Sequence, residues 1–287
     1  MPRSWRPRRA RLPIRLLALD LDGTLLNDAL QIAPRDEEAV KAAVAAGVHV
    51  VLATGRMFRS ALPYAERLGL TGPMINYQGA VVRDVATREV WYRCELTVAM
   101  QQRVLAFAEP RDLHVNVYLD EEVYTARARP EADLYARIAL VPYHVVGPLS
   151  QWIRGPGTKM VMVELDPERI PGRIAELEAW MAGVATVTRS LQWFVEVVNP
   201  QASKSRALAM VAERLHVPQA EVCAIGDNRN DQDMIAWAGL GVAMDTSPPE
   251  VKAIARYVTT TPQAGGVAEV IERFVLGSER APIKASG

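Results

Sequence analysis

The sequence predicts an α/β protein with a doubly wound, mostly parallel sheet and an inserted α+β domain. Short apolar runs alternate with helix-like segments toward both ends of the chain. This alternation is typical of a parallel sheet covered by helices on both faces. Between residues 85 and 194 it gives way to closely spaced strands and helices, which indicates a second unit inserted into the first.

Three apolar runs predict strands of the parallel sheet, and each of them ends in polar residues. The runs are residues 14–19, 48–53 and 222–225, and they lead into Asp20-Leu21-Asp22-Gly23-Thr24, Thr54-Gly55-Arg56, and Gly226-Asp227 with Asn230-Asp231. A further short strand is predicted at residues 241–244. Because open α/β sheets bind ligands at the carboxyl ends of their strands, the polar residues predict a functional site there.

The helices of this unit are predicted at residues 34–46, 60–68 and 232–238, from Lys204 onward, and after Gly266. Proline near the start of the first helix and glycine after the first and second agree with the usual start and stop signals. Lys204 lies at the start of an apolar-periodic segment (Leu208, Met210, Val211, Leu215), so it is expected at a helix N-terminus, where anions bind readily.

The inserted unit is predicted to contain helices at 97–108, 131–140 and 170–181, and strands at 114–118, 123–125, 159–165, 185–189 and 193–198. The predicted organisation is a discontinuous core of residues 14–84 and 195–277 and an inserted domain of residues 85–194. Disordered tails are expected at residues 1–13 and 278–287.

Composition points to a cytoplasmic protein that binds neither nucleic acid nor membrane. The 287 residues are 49% hydrophobic and carry a formal net charge of zero, so the totals give no sign of a nucleic-acid partner. Cys94 and Cys223 form no metal or redox spacing, which favours a reducing compartment. No stretch is long and apolar enough to cross a membrane. The basic start of the chain lacks the apolar segment of a secretory signal.

Asp20 and Asp22 are the most informative pair in the chain. Side chains alternate along a strand, so the two carboxylates would share one face unless the chain has already begun to turn at Gly23. Two close carboxylates need a counter-charge. A hard divalent cation such as Mg²⁺ would supply it, because it takes oxygen ligands and leaves positions open for water and phosphate.

The three strand-end motifs and Lys204 together form four motifs, which resemble those of the haloacid dehalogenase-like phosphohydrolases. Their order and spacing are similar to those of the Cof-type branch, which carries a large α/β cap. The resemblance runs from about residue 14 to about residue 276. It implies a Rossmann-like core with an inserted cap. It also implies a magnesium-dependent phosphatase that hydrolyses a small phosphate ester, such as a sugar phosphate or a phosphorylated cofactor, through an aspartyl-phosphate.

In this scheme Asp20 is the nucleophile, and Asp22 is the general acid and then the general base. Asp227 binds the metal beside Asp20, and the resemblance adds the backbone carbonyl of Asp22. Thr54, Gly55, Arg56 and Lys204 would hold the phosphate oxygens. A solvated Lys204 and a surface Arg56 remain alternatives.

Asn230 and Asp231 are expected to support the site. The resemblance places Asp231 close to Lys204 as its ionic partner and Asn230 near the metal, whereas either residue could instead cap the following helix. The loop at residues 76–79 is expected to line the site.

The chain departs from the Cof-type pattern in three places, one of which is Asn76-Tyr77-Gln78-Gly79 in place of the commoner Ser-Asn-Gly form. Ser205 replaces a glycine and should leave Lys204 in place. Asp245-Thr246 replaces Gly-Asn, and this new carboxylate could alter substrate choice or face solvent.

Two other functions fit the motifs. One is a phosphotransferase or phosphomutase of the same superfamily, and the other is a catalytically idle metabolite-binding protein, because fold alone does not prove function. The substrate and the oligomeric state are left open by the sequence.

Overall fold

The computed structural model describes residues 14–189 and 191–277; the predicted tails lie outside these ranges. The strands are β1 (Leu16–Leu19), β2 (His49–Leu52), β3 (Pro73–Asn76), β4 (Val81–Asp84), β5 (Val90–Arg93), β6 (Val115–Leu119), β7 (Glu122–Thr125), β8 (His144–Val145), β9 (Lys159–Val163), β10 (Thr186–Arg189), β11 (Phe194–Val198), β12 (Val222–Gly226), β13 (Leu240–Ala243) and β14 (Tyr257–Val258). The helices are α1 (Pro34–Ala45), α2 (Phe58–Arg67), α3 (Val98–Ala108), α4 (Pro130–Ala139), α5 (Leu149–Trp152), α6 (Ile170–Met181), α7 (Lys204–Arg214), α8 (Gln232–Trp237), α9 (Pro249–Ile254) and α10 (Gly266–Val270).

The main sheet has five parallel strands in the order β14-β13-β12-β1-β2. Both of its faces are covered. Leu17 and Leu19 of β1 pack in a cluster with α1, α2 and α10, whereas Leu16 and Ala18 pack with α7 and α8 on the other face. This follows from the two-residue period of a strand, and it confirms the predicted doubly wound fold class.

A second sheet has six strands in the order β10-β11-β9-β6-β7-β8, and its neighbours are antiparallel except for β7 and β8. Helices α3, α5 and α6 pack against it around a separate apolar cluster. Strands β3, β4 and β5 form a small antiparallel sheet, which joins the parallel sheet through a bridge between Ala53 and Ile75.

The predicted boundaries of the inserted unit, residues 85 and 194, do not coincide with the limits of the six-stranded sheet. β5 falls within the predicted insertion, yet it pairs with β4 of the small sheet. Residues 195–198 fall within the predicted core, yet β11 pairs with β9 and β10 in the six-stranded sheet. The reason is physical: an apolar run shows that a strand will form, but its partner depends on distant residues.

Helix and strand bounds agree with the sequence prediction to within about two residues for most elements. Helix α2 begins at Phe58, two residues before the predicted start. Strands β3, β4 and β5 and the short elements α5, α9, β8 and β14 have no counterpart in the sequence prediction. Among the residues described, no helix has both the length and the apolar character needed to cross a membrane.

Candidate active site

Lys204 lies between two buried carboxylates at the carboxyl edge of the parallel sheet. Its Nζ donates to Oδ1 of Asp20 and to Oδ1 of Asp231, each at 2.6 Å, and all three side chains are at most 5% exposed. Asp20 directly follows β1, and Lys204 opens α7, which Ser203 caps by accepting a hydrogen bond from the N–H of Arg206. Burial opposes the charged form of Lys204, but Asp20 and Asp231 outweigh it, so the pKa of Lys204 is raised.

Asp227 completes a cluster of three carboxylates. One oxygen each from Asp20, Asp227 and Asp231 lies within 4.8 Å of the others. Burial, followed by the charge of Asp231, raises the pKa of Asp227 to about 7. Burial and Asp231 also raise the pKa of Asp20 well above its ordinary value, although Lys204 works against this. With its three carboxylates ionised, the cluster therefore carries more negative charge than Lys204 alone neutralises.

The free oxygens of this cluster fit a hard divalent cation. Both oxygens of Asp231 are used, because Oδ1 binds Lys204 and Oδ2 accepts from the N–H groups of Asp227 and Asn228 at 3.1 Å. No hydrogen bond from the described residues reaches Oδ2 of Asp20 or Oδ2 of Asp227. Carboxylate oxygens are the ligands that Mg²⁺ prefers. The cluster could hold a metal ion, with Asp20 and Asp227 as its ligands.

The side chain of Asp22 points to a different partner. Arg56 donates from Nε to Oδ2 of Asp22 at 2.8 Å and from Nη2 to Oδ1 at 2.5 Å. The two side chains are 9% and 14% exposed. This burial excludes the alternative of a surface Arg56. It also places the guanidinium against Asp22, whereas the sequence predicts that it would hold phosphate.

Thr54 and Gly55 form a tight turn after β2. Thr54 is fully buried; its N–H donates to the carbonyl of Ile75 at 2.9 Å, and its hydroxyl accepts from the N–H of Arg56 at 3.1 Å. A Cβ on Gly55 would lie 2.4 Å from Nε2 of Gln78, so a larger residue at this position would displace the amide of Gln78.

The loop at residues 76–79 is strained and packs against the start of α7. Tyr77 and Gln78 have φ values of 52° and 59°, in the left-handed region that non-glycine residues rarely adopt. Gly79 has φ 91°, and a Cβ on it would lie 2.2 Å from the carbonyl oxygen of Ser203. The loop therefore lies directly beside Lys204.

Lys159 and Glu196 are buried site residues that the sequence analysis did not single out. Lys159 Nζ lies 2.9 Å from Oε1 of Glu196, and each side chain is 2% exposed. Glu196 Oε2 accepts from Gln78, whose Oε1 accepts from Asn230. The sequence does contain a sign of this ion pair. Lys159 and Glu196 are each the single charged residue in an otherwise apolar strand, KMVMV in β9 and FVEVV in β11.

The departures from the Cof-type pattern at Ser205 and Asp245 have simple structural accounts. The N–H of Ser205 donates to Oδ2 of Asp233 at 3.0 Å, which reinforces the start of α7 and leaves Lys204 in place. Asp245 pairs with Lys252 at 3.0 Å, and its side chain is 64% exposed. Of the two alternatives for Asp245, the structure therefore favours the solvent-facing one.

A cleft of about 460 Å³ opens above the site. Asp22 and Asp227 line it from the parallel sheet, and Arg189 and Trp193 line it from the hairpin of β10 and β11. A smaller recess beside Asp22 is lined by Arg56, Lys159 and Glu196, among others.

A parallel sheet that brings two strand-end aspartates, a buried lysine and a third carboxylate to one edge defines a phosphoryl-transfer enzyme with a Rossmann-like α/β core. The chain belongs to the haloacid dehalogenase-like hydrolases, whose family model matches residues 17–271.

Similar proteins agree with this family. Phosphatase YwpJ of Bacillus subtilis strain 168 is 30% identical, with 91% of this chain and 100% of that protein covered. The 5-amino-6-(5-phospho-D-ribitylamino)uracil phosphatase YitU of the same strain is 29% identical, with 90% and 97% covered. A haloacid dehalogenase-like hydrolase from Bacteroides thetaiotaomicron has a similar crystal structure, with a TM-score of 0.81, 30% identity, and 90% and 98% of the two chains covered. The predicted family, its Cof-type branch and the enzyme class, phosphoric monoester hydrolase, are confirmed.

Proposed function

We propose that the chain is a magnesium-dependent phosphatase that hydrolyses a small phosphorylated metabolite through an aspartyl-phosphate on Asp20. The observation that carries this proposal is the buried Asp20–Lys204–Asp231 contact with Asp227 beside it. It leaves Oδ2 of Asp20 unengaged by the described residues at the edge of the sheet, where open α/β folds bind their ligands.

In the first step a carboxylate oxygen of Asp20 attacks phosphorus, and the bond between phosphorus and the ester oxygen breaks. Asp22, which has to enter this step in its protonated form, donates its proton to the leaving alkoxide. In the second step Asp22 takes a proton from water, which attacks the phosphoryl group and regenerates Asp20 as inorganic phosphate leaves. Splitting the reaction in this way replaces one difficult step with two easier ones.

The remaining residues stabilise charge on the phosphoryl oxygens. Lys204 supplies a fixed positive charge, and the hydroxyl of Thr54 and the N–H of Gly55 supply hydrogen-bond donors. Asp20 and Asp227 would hold Mg²⁺, which when bound shields the phosphate from the attacking carboxylate. Asp231 keeps Lys204 in position, and Asn230 orients Gln78.

We further propose that the six-stranded sheet and its helices act as a cap that covers the site and selects the substrate. Arg189 and Trp193 at the mouth of the cleft suit an anionic ester with a polar or planar organic group. The relative YitU acts on such a compound, so sugar phosphates and phosphorylated cofactors are the classes to test. Two buried free cysteines support a cytoplasmic location.

The test is release of inorganic phosphate from sugar phosphates, nucleotides, flavin mononucleotide and pyridoxal phosphate, with Mg²⁺ and with a chelator. We expect release from at least one class that is lost when Mg²⁺ is removed. Transfer to a second sugar with little free phosphate would favour a phosphotransferase. Mg²⁺ binding without turnover of any compound would favour an idle binding protein.

A further inference from the structure

The Lys159–Glu196 ion pair has no role in the proposed reaction. It lies in the six-stranded sheet, between β9 and β11, with both side chains 2% exposed. Removing two charges from water opposes folding, so a buried pair contributes little stability by itself. Each member of the pair also contacts a loop at the edge of the parallel sheet.

Lys159 reaches the turn that follows β2. Its Nζ donates to the carbonyl oxygen of Gly55 at 2.8 Å, in addition to its contact with Glu196. Gly55 lies between Thr54, which is proposed to stabilise phosphate, and Arg56, which binds both oxygens of Asp22. A charged donor to this carbonyl fixes the orientation of the peptide plane in the turn.

Glu196 is connected to the loop that follows β12. Its Oε2 accepts from Nε2 of Gln78 at 3.1 Å, and Oε1 of Gln78 accepts from Nδ2 of Asn230 at 3.2 Å. Asn230 lies between Asp227 and Asp231 in the sequence. One ion pair of the six-stranded sheet is therefore connected to both loops that carry the proposed phosphate and metal ligands.

We propose that Lys159 and Glu196 are positioning residues, which hold the two active-site loops in their reactive geometry when the six-stranded sheet is docked. The inference rests on the proposed phosphatase function. It gives the cap a part in catalysis beyond substrate selection, because undocking the sheet removes Lys159 from Gly55 and frees the turn at residues 54–56.

The key variant is the double substitution Lys159→Met with Glu196→Gln. It removes both charges together, which avoids a buried unpaired ion, and the new amide at position 196 keeps an acceptor for Gln78. Among the contacts of residues 159 and 196 with the two loops, this variant loses the hydrogen bond from Lys159 to the carbonyl of Gly55 and keeps the one from Gln78 to residue 196. Glu196→Gln alone is the complement: it leaves a buried lysine without its counter-charge but keeps the contact with Gly55.

The matched control is the double substitution Arg59→Met with Glu122→Gln. Arg59 and Glu122 also connect the core to the six-stranded sheet, because α2 carries Arg59 and β7 carries Glu122. Their N–O distance is 2.8 Å, but their side chains are 47% and 34% exposed. Exposed pairs contribute little, so this variant should behave like the wild type.

The experiment measures kcat and KM for p-nitrophenyl phosphate with Mg²⁺, the melting temperature, and amide hydrogen exchange at residues 54–57. For the key variant we expect kcat to fall about 10- to 100-fold with KM changed less than about threefold, because a small misplacement of a loop suffices. Exchange at residues 54–57 should become faster while the melting temperature stays near that of the wild type. Glu196→Gln alone should lower the melting temperature and leave this exchange slow.

Wild-type exchange at residues 54–57 in the key variant, or an equal effect in the control, would overturn the inference. So would wild-type kcat. If the wild-type enzyme releases no phosphate from any compound, the proposed function fails, and the exchange measurement still decides whether the ion pair orders the turn.

Discussion

Arg56 binds Asp22 through two parallel hydrogen bonds, from Nε at 2.8 Å and from Nη2 at 2.5 Å. A guanidinium that contacts both oxygens fixes the plane of the carboxylate as well as its position. Asp22 is the proposed acid and base, so its orientation toward the ester oxygen decides how well it transfers the proton. Arg56 is therefore expected to act by orienting Asp22.

Substitution of Arg56 by lysine tests this role, because lysine keeps the charge but cannot contact both oxygens. We expect kcat to fall about 10- to 100-fold with a smaller change in KM, since proton transfer depends on geometry. Steady-state kinetics with the best substrate of the panel provides the measurement. Arg59→Lys, on the exposed side of α2, is the control. Wild-type kcat in Arg56→Lys would show that the two-point contact has no part in the reaction.

Asp36 makes stability depend on pH. In the first turn of α1, its Oδ1 accepts from the N–H of Ala268 at 2.7 Å, whereas its buried Oδ2 has no partner among the described residues. Burial raises the pKa of Asp36 to about 6. The folded state thus holds the proton more tightly than the unfolded state, and the stability gained from protonation is lost as pH rises from about 4 to about 6.

Asp36→Asn should therefore stabilise the protein at pH 8, by at most ~3 kcal/mol, and the gain should shrink as pH falls toward 4. Melting temperatures at several pH values check this. Glu38→Gln, an exposed acid on the same helix, should show no such trend. A gain in Asp36→Asn that is constant with pH would refute the assignment of the ionised carboxylate as its cause.

Arg189 is expected to attract the substrate. It lines the cleft with Asp22 and Asp227, and within the described ranges no carboxylate lies within ion-pair distance of it; its Nε donates to the carbonyl of Leu191 at 3.3 Å. Arg189→Ala should raise KM about 5- to 10-fold at low salt with little change in kcat, and the difference should diminish as salt screens the charge.

Kinetics at low and high ionic strength measures this effect. Arg127→Ala is the matched control, because Arg127 is also an arginine of the six-stranded sheet unit but pairs with Asp112 away from the cleft. A KM for Arg189→Ala equal to that of the wild type at low salt would remove Arg189 from substrate binding.

The positions of the main motifs could be predicted from the sequence because they depend on local rules. An apolar run followed by Asp20 or Thr54 marks the end of a parallel strand, and such ends meet at one edge of the sheet. The apolar period that follows Lys204 marks the start of a helix. Proximity of these residues then follows from the fold class.

The contacts between the two sheets could not be predicted in this way. Glu196 and Gln78 are 118 residues apart, and Lys159 and Gly55 are 104 apart, so no local pattern pairs them. The partner of Arg56 depends on a side-chain orientation that strand ends do not specify. The only local indication of the buried ion pair is that Lys159 and Glu196 are each a charged residue within an apolar strand.

The measurement that tests nucleophilic catalysis most directly is phosphate release by Asp20→Asn, with Asp245→Asn as the control. Asparagine keeps the shape of the side chain but removes the attacking carboxylate. Because burial and neighbouring carboxylates raise the pKa of Asp20, the substitution should not lower the melting temperature. We expect phosphate release to fall at least about 10³-fold in Asp20→Asn and to remain at the wild-type level in Asp245→Asn. A folded Asp20→Asn enzyme that keeps more than about a tenth of wild-type activity would contradict an aspartyl-phosphate on Asp20.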